Sequence, residues 1–566
     1  MHFTKRHSLG LLLATAGVSI LIIVVLPRDA FWITDCANKY LTSVNVANKH
    51  FTDFSIDYPG IEYDSKLEAN PIPDPFSVVR GGKIYSFYPP LFSYLSAFLY
   101  SFLGFRGLFV LPLIGALAGM WLVILTSRAF SLSEWQSAAC GLAAYWCTPC
   151  LFYAFCFWEH TVGTACVLLA VLILLRQLSS GNQHSLLIAG CALGVGIGFR
   201  EELYAMCGAI FVSLLLDKSS RKILVLYFPL GVLAGVGPVW LFQRWAIGNA
   251  WGFHLVGNLR SSRLWDFASL TDAVPERFEV TLQLLGNVST NRTFNLSYII
   301  FFLSFSALAL FYRKKRARAF AVLCLGAMVL AASSGAYLAF SDDEVRAWMN
   351  GNGLLMHGAT LIPLLGAFIY EGNEFSARAA RLLRNTTVLF IIFICLSCPP
   401  ITAQGIHWGP RIMLPVFPML LPLLFLSFSR ASENRSAAKQ RRPSLRWALL
   451  ALLLTCAAVQ IYSIFVLNRK LETTASIVSR VRGLPDEVII SGLWWFPQEM
   501  APIFYEKMFF FAPDYAHLQK LAASLKEKGR SAFIYVTPVD ERQRLLFRTQ
   551  SKLKFFDVSV SRYEIQ

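Results

Sequence analysis

Apolar runs of about twenty residues recur along this chain of 566 residues, and nothing else in the sequence constrains its folding as strongly. A segment of that length is stable in lipid only if it satisfies its own backbone polar groups, which a helix does. Reading for such runs gives about thirteen spans, at 8–27, 107–127, 136–155, 160–176, 184–199, 203–217, 223–243, 297–312, 319–340, 353–370, 386–402, 411–429 and 447–467. Composition agrees: 55% of residues are hydrophobic, 15% are charged and the mean hydropathy is +0.52, so most of the length must be buried in lipid. The first run follows Lys5, Arg6 and His7 as a secretory signal would, but no small-residue cleavage site precedes Arg28, so it is taken as a span with a cytoplasmic N-terminus.

Alternating these spans across a bilayer tests the positive-inside rule. The loops that fall inside carry Lys218, Arg221 and Lys222; Arg313, Lys314, Lys315, Arg316 and Arg318; Arg378, Arg381 and Arg384; and Arg435, Lys439, Arg441, Arg442 and Arg446. Much of the net charge of +17 is therefore topological, and no nucleic-acid partner is expected. The outer side receives a first loop at 28–106, a loop at 249–295 and a tail at 468–566. In the tail, Glu487–Ser491, Phe533–Thr537 and Phe555–Val560 read as buried strands, with helical text at 470–482 and 515–528. The expected fold is an α-helical polytopic membrane protein of about thirteen transmembrane helices with a small C-terminal α/β soluble domain. Residues 1–467 would form the membrane domain with its first outer loop, and 468–566 the soluble one.

Twelve cysteines sit mostly inside spans. Cys147-x-x-Cys150 and Cys395-x-x-Cys398 lack a second ligand pair or a histidine run at zinc-finger spacing, so they read as packing residues and no metal site is assigned.

Several polar groups are not explained by span patterning. Asp35 lies in Phe31–Tyr40, just after the first span, where a carboxylate could act as a base on a substrate at the bilayer surface. Residues 38–51, with Lys39 and Tyr40, carry a weak amphipathic pattern suited to lying along the interface. Lys83 and Tyr88 fall in the run Arg80–Pro90, and Pro89 and Pro90 break the chain before a short apolar segment, Leu91–Leu103, that reads as interfacial or re-entrant. Were it a span, every later orientation would invert, and the basic clusters argue against that. Trp158-Glu159-His160 occupies an outer turn, where Glu159 is either functional or the plain end of a span. Arg200 opposes the prevailing charge bias and needs an anionic partner, either a substrate or its neighbours Glu201 and Glu202. His407 and Arg411 precede the twelfth span, and Arg411 has no carboxylate close in sequence, which suits a phosphate or lipid headgroup. Asp342, Asp343 and Glu344 precede Arg346 in another outer turn; they could bind a divalent cation, though a solvated turn is the commoner explanation.

Together, Asp35 after the first span, Tyr88-Pro-Pro90, Trp158-Glu159-His160, Phe199-Arg200-x-Glu202 and His407-x-Gly409-Pro410-Arg411 resemble the GT-C superfamily of polyprenyl-phosphate-sugar-dependent glycosyltransferases. The bacterial branch with the lipid A aminoarabinose transferase, and the protein O-mannosyltransferases, are the nearest general likeness. Each motif is short, and their order and common side carry the resemblance. Many such transferases show an Asp-Glu pair in the first loop, whereas Cys36 follows Asp35 here, so a second carboxylate, Glu159 foremost, must come from elsewhere or be unnecessary.

The resemblance implies a sugar moved from a polyprenyl-phosphate donor to a lipid, glycan or protein acceptor on the non-cytoplasmic face of a bacterial inner membrane. Asp35 and Glu159 would be the catalytic carboxylates. Arg200, Arg346 and Arg411 would hold the donor phosphate, and Lys39, Tyr40, Lys83, Tyr88, His160, Glu202 and His407 would be further substrate-site candidates. Membrane lipids are the remaining partner, no cofactor is certain and a divalent cation stays open. Two other classes are consistent with outer-loop charges. An O-antigen ligase or polymerase would lean on a large central outer loop, and a lipid-linked glycan transporter on broken helices at the midplane and repeated halves.

Overall fold

The computed structural model describes residues 5–217, 225–261, 270–286, 292–311, 316–339, 353–354, 374–399, 407–433, 444–538 and 558–564. Arg346, the Asp342–Glu344 cluster and nearly all of the expected span 353–370 lie outside them. The described chain is predominantly helical, and it divides by internal contacts into two compact units: Met1–Ile23, Leu111–Leu241 and Leu255–Val466 in one, and Val24–Val110, Phe242–His254 and Leu467–Gln566 in the other. The first outer loop thus groups with the tail, where the sequence attached it to the membrane domain.

Among the described residues six helical runs are long and apolar enough to cross a membrane: Lys5–Val25, Pro90–Ala129, His160–Leu178, Tyr227–Ile247, Ser376–Ser397 and Leu445–Arg482. Shorter apolar helices occur at His184–Ile197, Leu203–Leu216, Ile299–Ala309, Arg318–Leu330 and Val416–Ser432. The expected span 136–155 is broken into helices Glu134–Trp146 and Cys150–Ala154, because Pro149 cannot continue the first of them. In the membrane-rich unit the helices His184–Ile197 and Tyr227–Ile247 cross at bare backbone. A Cβ on Gly190 would land on the Phe228 carbonyl, and one on Gly194 on that of Val232; reciprocally, Gly231 and Gly235 lie against the carbonyls of Leu187 and Cys191. Two small-xxx-small stripes facing each other allow the close approach that drives helix association in lipid, where apolar side chains gain nothing by leaving the solvent.

Among its described residues the second unit holds two small sheets. In the first loop, β1 (Ser55–Ile56), β2 (Ser77–Arg80) and β3 (Lys83–Ser86) form an antiparallel sheet of order β1-β3-β2. Arg80 pairs with Lys83 across Gly81 and Gly82, whose φ values of 58° and 72° meet the two-residue hairpin turn's need for left-handed backbone. In the tail, β4 (Val488–Ser491), β5 (Met508–Phe511), β6 (Ala532–Pro538) and β7 (Val558–Glu564) follow the order β5-β4-β6-β7. β4 pairs in parallel with both neighbours and all four of its residues are buried, which is why its text is an unbroken apolar run. β5 was not anticipated from the sequence. Its outer edge is met by the first loop, where the Phe511 N–H donates to the Ala69 carbonyl at 3.0 Å. The helix Tyr515–Glu527 starts where the Asp514 side chain accepts from the His517 N–H, and it buries Leu518, Leu521 and Leu525 at helical spacing.

The stretch expected to lie along the interface is the helix Thr34–Asn48, and the structure corrects its setting. Every residue from Thr34 to Val46 is buried, so Lys39 and Asn45 line a protein interior where the pattern suggested a wet face. The apolar segment after it is the helix Pro90–Leu103, which stops at Gly104, whose φ of 59° no right-handed helix continues.

Candidate active site

The sequence candidates gather into two constellations, one in each unit. In the loop-and-tail unit, Asp35 occupies the first turn of the helix Thr34–Asn48, where the unpaired N–H groups and the dipole of the helix favour a negative charge. The residue as a whole is 8% exposed. The Tyr88 hydroxyl donates to Asp35 Oδ1, and the Lys39 ammonium, itself 1% exposed, sits 4.6 Å from the centroid of the Tyr88 ring. Asp35 and Lys39 lie one turn apart on the helix, so they share a face, and Tyr88 is brought to that face by the Pro89-Pro90 break that ends its loop. The structure also brings His254 here, 5.9 Å from Tyr88 and 5.2 Å from Phe87 between centroids. No sequence pattern singled it out.

The other candidates of this unit do not join that face. Tyr40 packs among Phe31, Tyr100 and Phe105 at 5.0, 6.0 and 6.1 Å, and burial, with Tyr100 beside it, pushes its phenol well above the ordinary range. Lys83, at the hairpin, pairs with Asp53 at 2.6 Å on the surface. That hydrogen bond raises the pKa of the ammonium.

The first turns of the Asp35 helix are held from the tail. The Lys470 ammonium, 1% exposed, donates to the Phe31 carbonyl and to Glu499 Oε2, each at 2.6 Å. Asn38 Nδ2 donates to Gln498 Oε1 at 2.8 Å, and Gln498 Nε2 donates to the Trp494 carbonyl at 2.8 Å. These residues are four hundred and more positions from Asp35, beyond the reach of any local pattern.

In the membrane-rich unit, Glu159 precedes the helix His160–Ser180 and Arg200 precedes Leu203–Leu216. Arg200 donates from Nη1 to Glu159 Oε1 at 2.9 Å and from Nε to Glu202 Oε1 at 2.7 Å. Burial works against its charge, but Glu202 and Glu159 outweigh it and hold the guanidinium above its ordinary pKa. Of the two partners weighed for Arg200, the structure supplies its own carboxylates. Glu202 is one of them, and Glu159 comes from 41 positions away.

Beside this triad lies an aromatic and imidazole cluster. The Arg411 guanidinium sits 4.9 Å from the Trp158 centroid, and His160 and His407 flank the same indole at 4.8 and 6.0 Å. Tyr153 stands 4.9 Å from His160. Gly409, with φ of 68°, and Pro410 turn the chain so that Arg411 opens a short 3-10 turn, Arg411–Met413. Trp408 is fixed behind it by donating to Gln460 Oε1 at 3.0 Å. Among the described residues no three histidine, cysteine or acidic side chains gather as a metal ion would require.

No protein-family model matches this sequence, and no curated protein matches it. Solved structures do. ArnT from Cupriavidus metallidurans bound to undecaprenyl phosphate aligns with a TM-score of 0.52 at 12% identity, over 99% of this chain and 98% of that one. The same protein in its apo state aligns with a TM-score of 0.52 at 11% identity, over 98% and 97%. The likeness therefore runs through both units and extends to almost the full length of each chain.

Proposed function

Starting from the fold that the chain shares with ArnT, we propose that the protein is a membrane glycosyltransferase of the GT-C type that moves a sugar from a polyprenyl-phosphate donor to an acceptor hydroxyl. The observation that carries this reading is the buried Asp35 held by a neutral phenol at a helix N-terminus. Support for the donor comes from the undecaprenyl phosphate in the ArnT structure of the same fold.

In the proposed reaction the acceptor oxygen attacks the anomeric carbon from the face opposite the phosphate, and Asp35 takes the hydroxyl proton. The bond from the anomeric carbon to the phosphate oxygen breaks, and its electron pair leaves with the polyprenyl phosphate. The configuration inverts. Tyr88 orients the carboxylate, as a general base must sit within hydrogen-bond reach of the proton it removes. Arg411 meets the charge of the departing phosphate, which a guanidinium does with two parallel hydrogen bonds. Trp158 beneath it keeps the planar group in one orientation, through a cation–π contact of about 0.5–2 kcal/mol. Arg200 positions Glu159 and Glu202 and leaves the phosphate to Arg411, because two carboxylates already occupy it.

The positive-inside pattern supports a non-cytoplasmic face for Asp35 and the tail, and the setting proposed with it is a bacterial inner membrane. Single-cysteine labelling in spheroplasts checks that orientation, and protection of a tail cysteine from an impermeant reagent would reverse it. The activity is tested with purified protein in nanodiscs, a panel of radiolabelled polyprenyl-phosphate sugars and membrane extracts as acceptor source. Transfer of label from at least one donor is expected. If every donor is returned intact with all extracts, the reading fails.

A further inference from the structure

The tail's contacts on the Asp35 helix have no part in the chemistry proposed above, yet they converge on its first turns. Lys470 binds the carbonyl of Phe31, three residues before the helix begins, while Gln498 binds Asn38 within its second turn. Gln498 and Glu499 are neighbours on one short helix, Phe496–Glu499, and Glu499 in turn holds the Lys470 ammonium. The direction of each bond is set by the next: Gln498 gives its amide N–H to Trp494, so its oxygen is the end that meets Asn38. One side of the segment that carries Asp35 is therefore tied directly to this four-residue piece of the tail, and the other is tied to it through Lys470. The arrangement is also costly to build. A lysine and a glutamate are taken almost completely out of water, at 1% and 7% exposure, where a hydrophobic pair of equal volume would serve stability as well or better. A buried polar network of this kind favours one geometry, although Asn38 Oδ1 has no hydrogen-bond partner within it.

We infer that Lys470, Gln498 and Glu499 are positioning residues, and that the soluble tail serves the reaction by holding the Asp35–Tyr88 pair in register. This rests on the reading of Asp35 as the base. The expected consequence is a fall in kcat with little change in the KM for donor, since displacement of a reacting group by about 1 Å can cost on the order of 100-fold in rate while binding elsewhere persists.

Two variants test it in the full-length protein. Gln498→Met removes the bond to Asn38 at nearly constant volume. The double variant Lys470→Met with Glu499→Met removes both charges together, so no buried charge is left uncompensated and the melting temperature should stay close to that of the natural chain. Cys36, fully buried beside Asp35, supplies a readout that needs no activity: its alkylation in the native protein, followed peptide by peptide. The expected result is a rise of about ten-fold or more in Cys36 labelling in both variants, with kcat lowered by about 10- to 100-fold and donor KM unchanged. Labelling and kcat both equal to the natural chain would overturn the inference. Raised labelling with unchanged kcat would leave the tail as the anchor of this helix and remove Asp35 from the chemistry, so the two readings fail separately. A double variant that melts far below the natural chain would make the pair a support of stability and also overturn the positioning role.

Discussion

The two polar constellations differ in the groups seen to hold their carboxylates. In the membrane-rich unit charge meets charge: Arg200 is shared by Glu159 and Glu202, and all three are largely out of water. In the loop-and-tail unit Asp35 meets a neutral phenol, and the nearby Lys39 ammonium lies over that phenol's ring. The donor given to Asp35 by Tyr88 is an uncharged hydroxyl that orients the carboxylate, whereas Glu159 and Glu202 share one guanidinium. In the function proposed above, Asp35 is the base and Glu159 helps to hold Arg200. Glu159, which the sequence offered as the second carboxylate if one is needed, is the one that pairs with Arg200.

Exchanging each carboxylate for its amide gives the sharpest test of that contrast. Asp35→Asn keeps the volume and the acceptor for Tyr88, so the protein should insert and bind donor normally while turnover falls by about 10²- to 10⁴-fold. Measured turnover close to that of the natural chain would exclude it as the base. Glu159→Gln should behave differently, because it strips a buried guanidinium of one of its two counter-charges. Breaking a buried pair from one side costs about 3–5 kcal/mol, so loss of folded protein in detergent is expected first. A well-folded Glu159→Gln protein with abolished turnover would break the comparison and return Glu159 to the chemistry.

Arg411 comes next in size. Arg411→Lys keeps the charge but loses the planar fork and its seat on Trp158, and donor affinity should fall by about ten-fold, with Arg411→Ala weaker again. Titration of polyprenyl phosphate, followed by tryptophan fluorescence, measures this. Equal affinity in both variants would take the phosphate away from Arg411.

Hydropathy made the membrane-rich unit legible because a span carries its information locally, and the six long helices lie where the apolar runs are. The charged turns were legible too, as residues too costly to be there without purpose, although the pairing of Glu159 with Arg200 across 41 positions was not. The loop-and-tail unit was read less well for the same reason in reverse. Lys39 and Asn45 look like the wet face of an amphipathic helix, and only distant chain covers them. The strand β5 is four residues long and its identity depends on parallel pairing with β4, which no alternation reveals. The helices Phe253–Ser261 and Leu270–Gly286 lie in polar text, the second with Pro275 inside it, and were read as loop. Gly190 and Gly194 passed as ordinary residues of an apolar span until their partners Gly231 and Gly235 stood opposite.

That glycine crossing gives a probe confined to the membrane-rich unit. Gly194→Leu places a side chain where the Val232 carbonyl stands, and overpacking of this kind costs typically about 1–3 kcal/mol. The thermal midpoint in detergent should drop while Gly237→Leu, on a helix face with open space, leaves it unchanged. Equal midpoints would mean that the two helices do not cross at these stripes.

The smallest expected effect belongs to the loop-and-tail unit and concerns Lys83, which the sequence offered as a substrate contact and the structure places in a surface pair. Partial burial opposes ionisation of Asp53, but Lys83 at 2.6 Å and the Ser55 N–H at 3.0 Å outweigh it and hold the carboxyl below its ordinary range. A depressed folded pKa stabilises above the unfolded value of about 3.9, and that contribution is lost as pH falls through the lower folded value. Lys83, raised by the same bond, keeps its share below the unfolded lysine value of about 10.4 and loses it only above. With half of the lysine side chain exposed, solvent screening limits the pair to at most about 1 kcal/mol. Lys83→Met should therefore lower the thermal midpoint slightly at pH 7, and the difference from the natural chain should close as the pH is taken below the Asp53 value. Turnover at pH 7 should stay within about two-fold, as expected of a surface pair worth no more than that. A large loss of turnover at an unchanged midpoint would instead put Lys83 on the substrate, and the hairpin that carries it would then belong to the active site alongside Asp35.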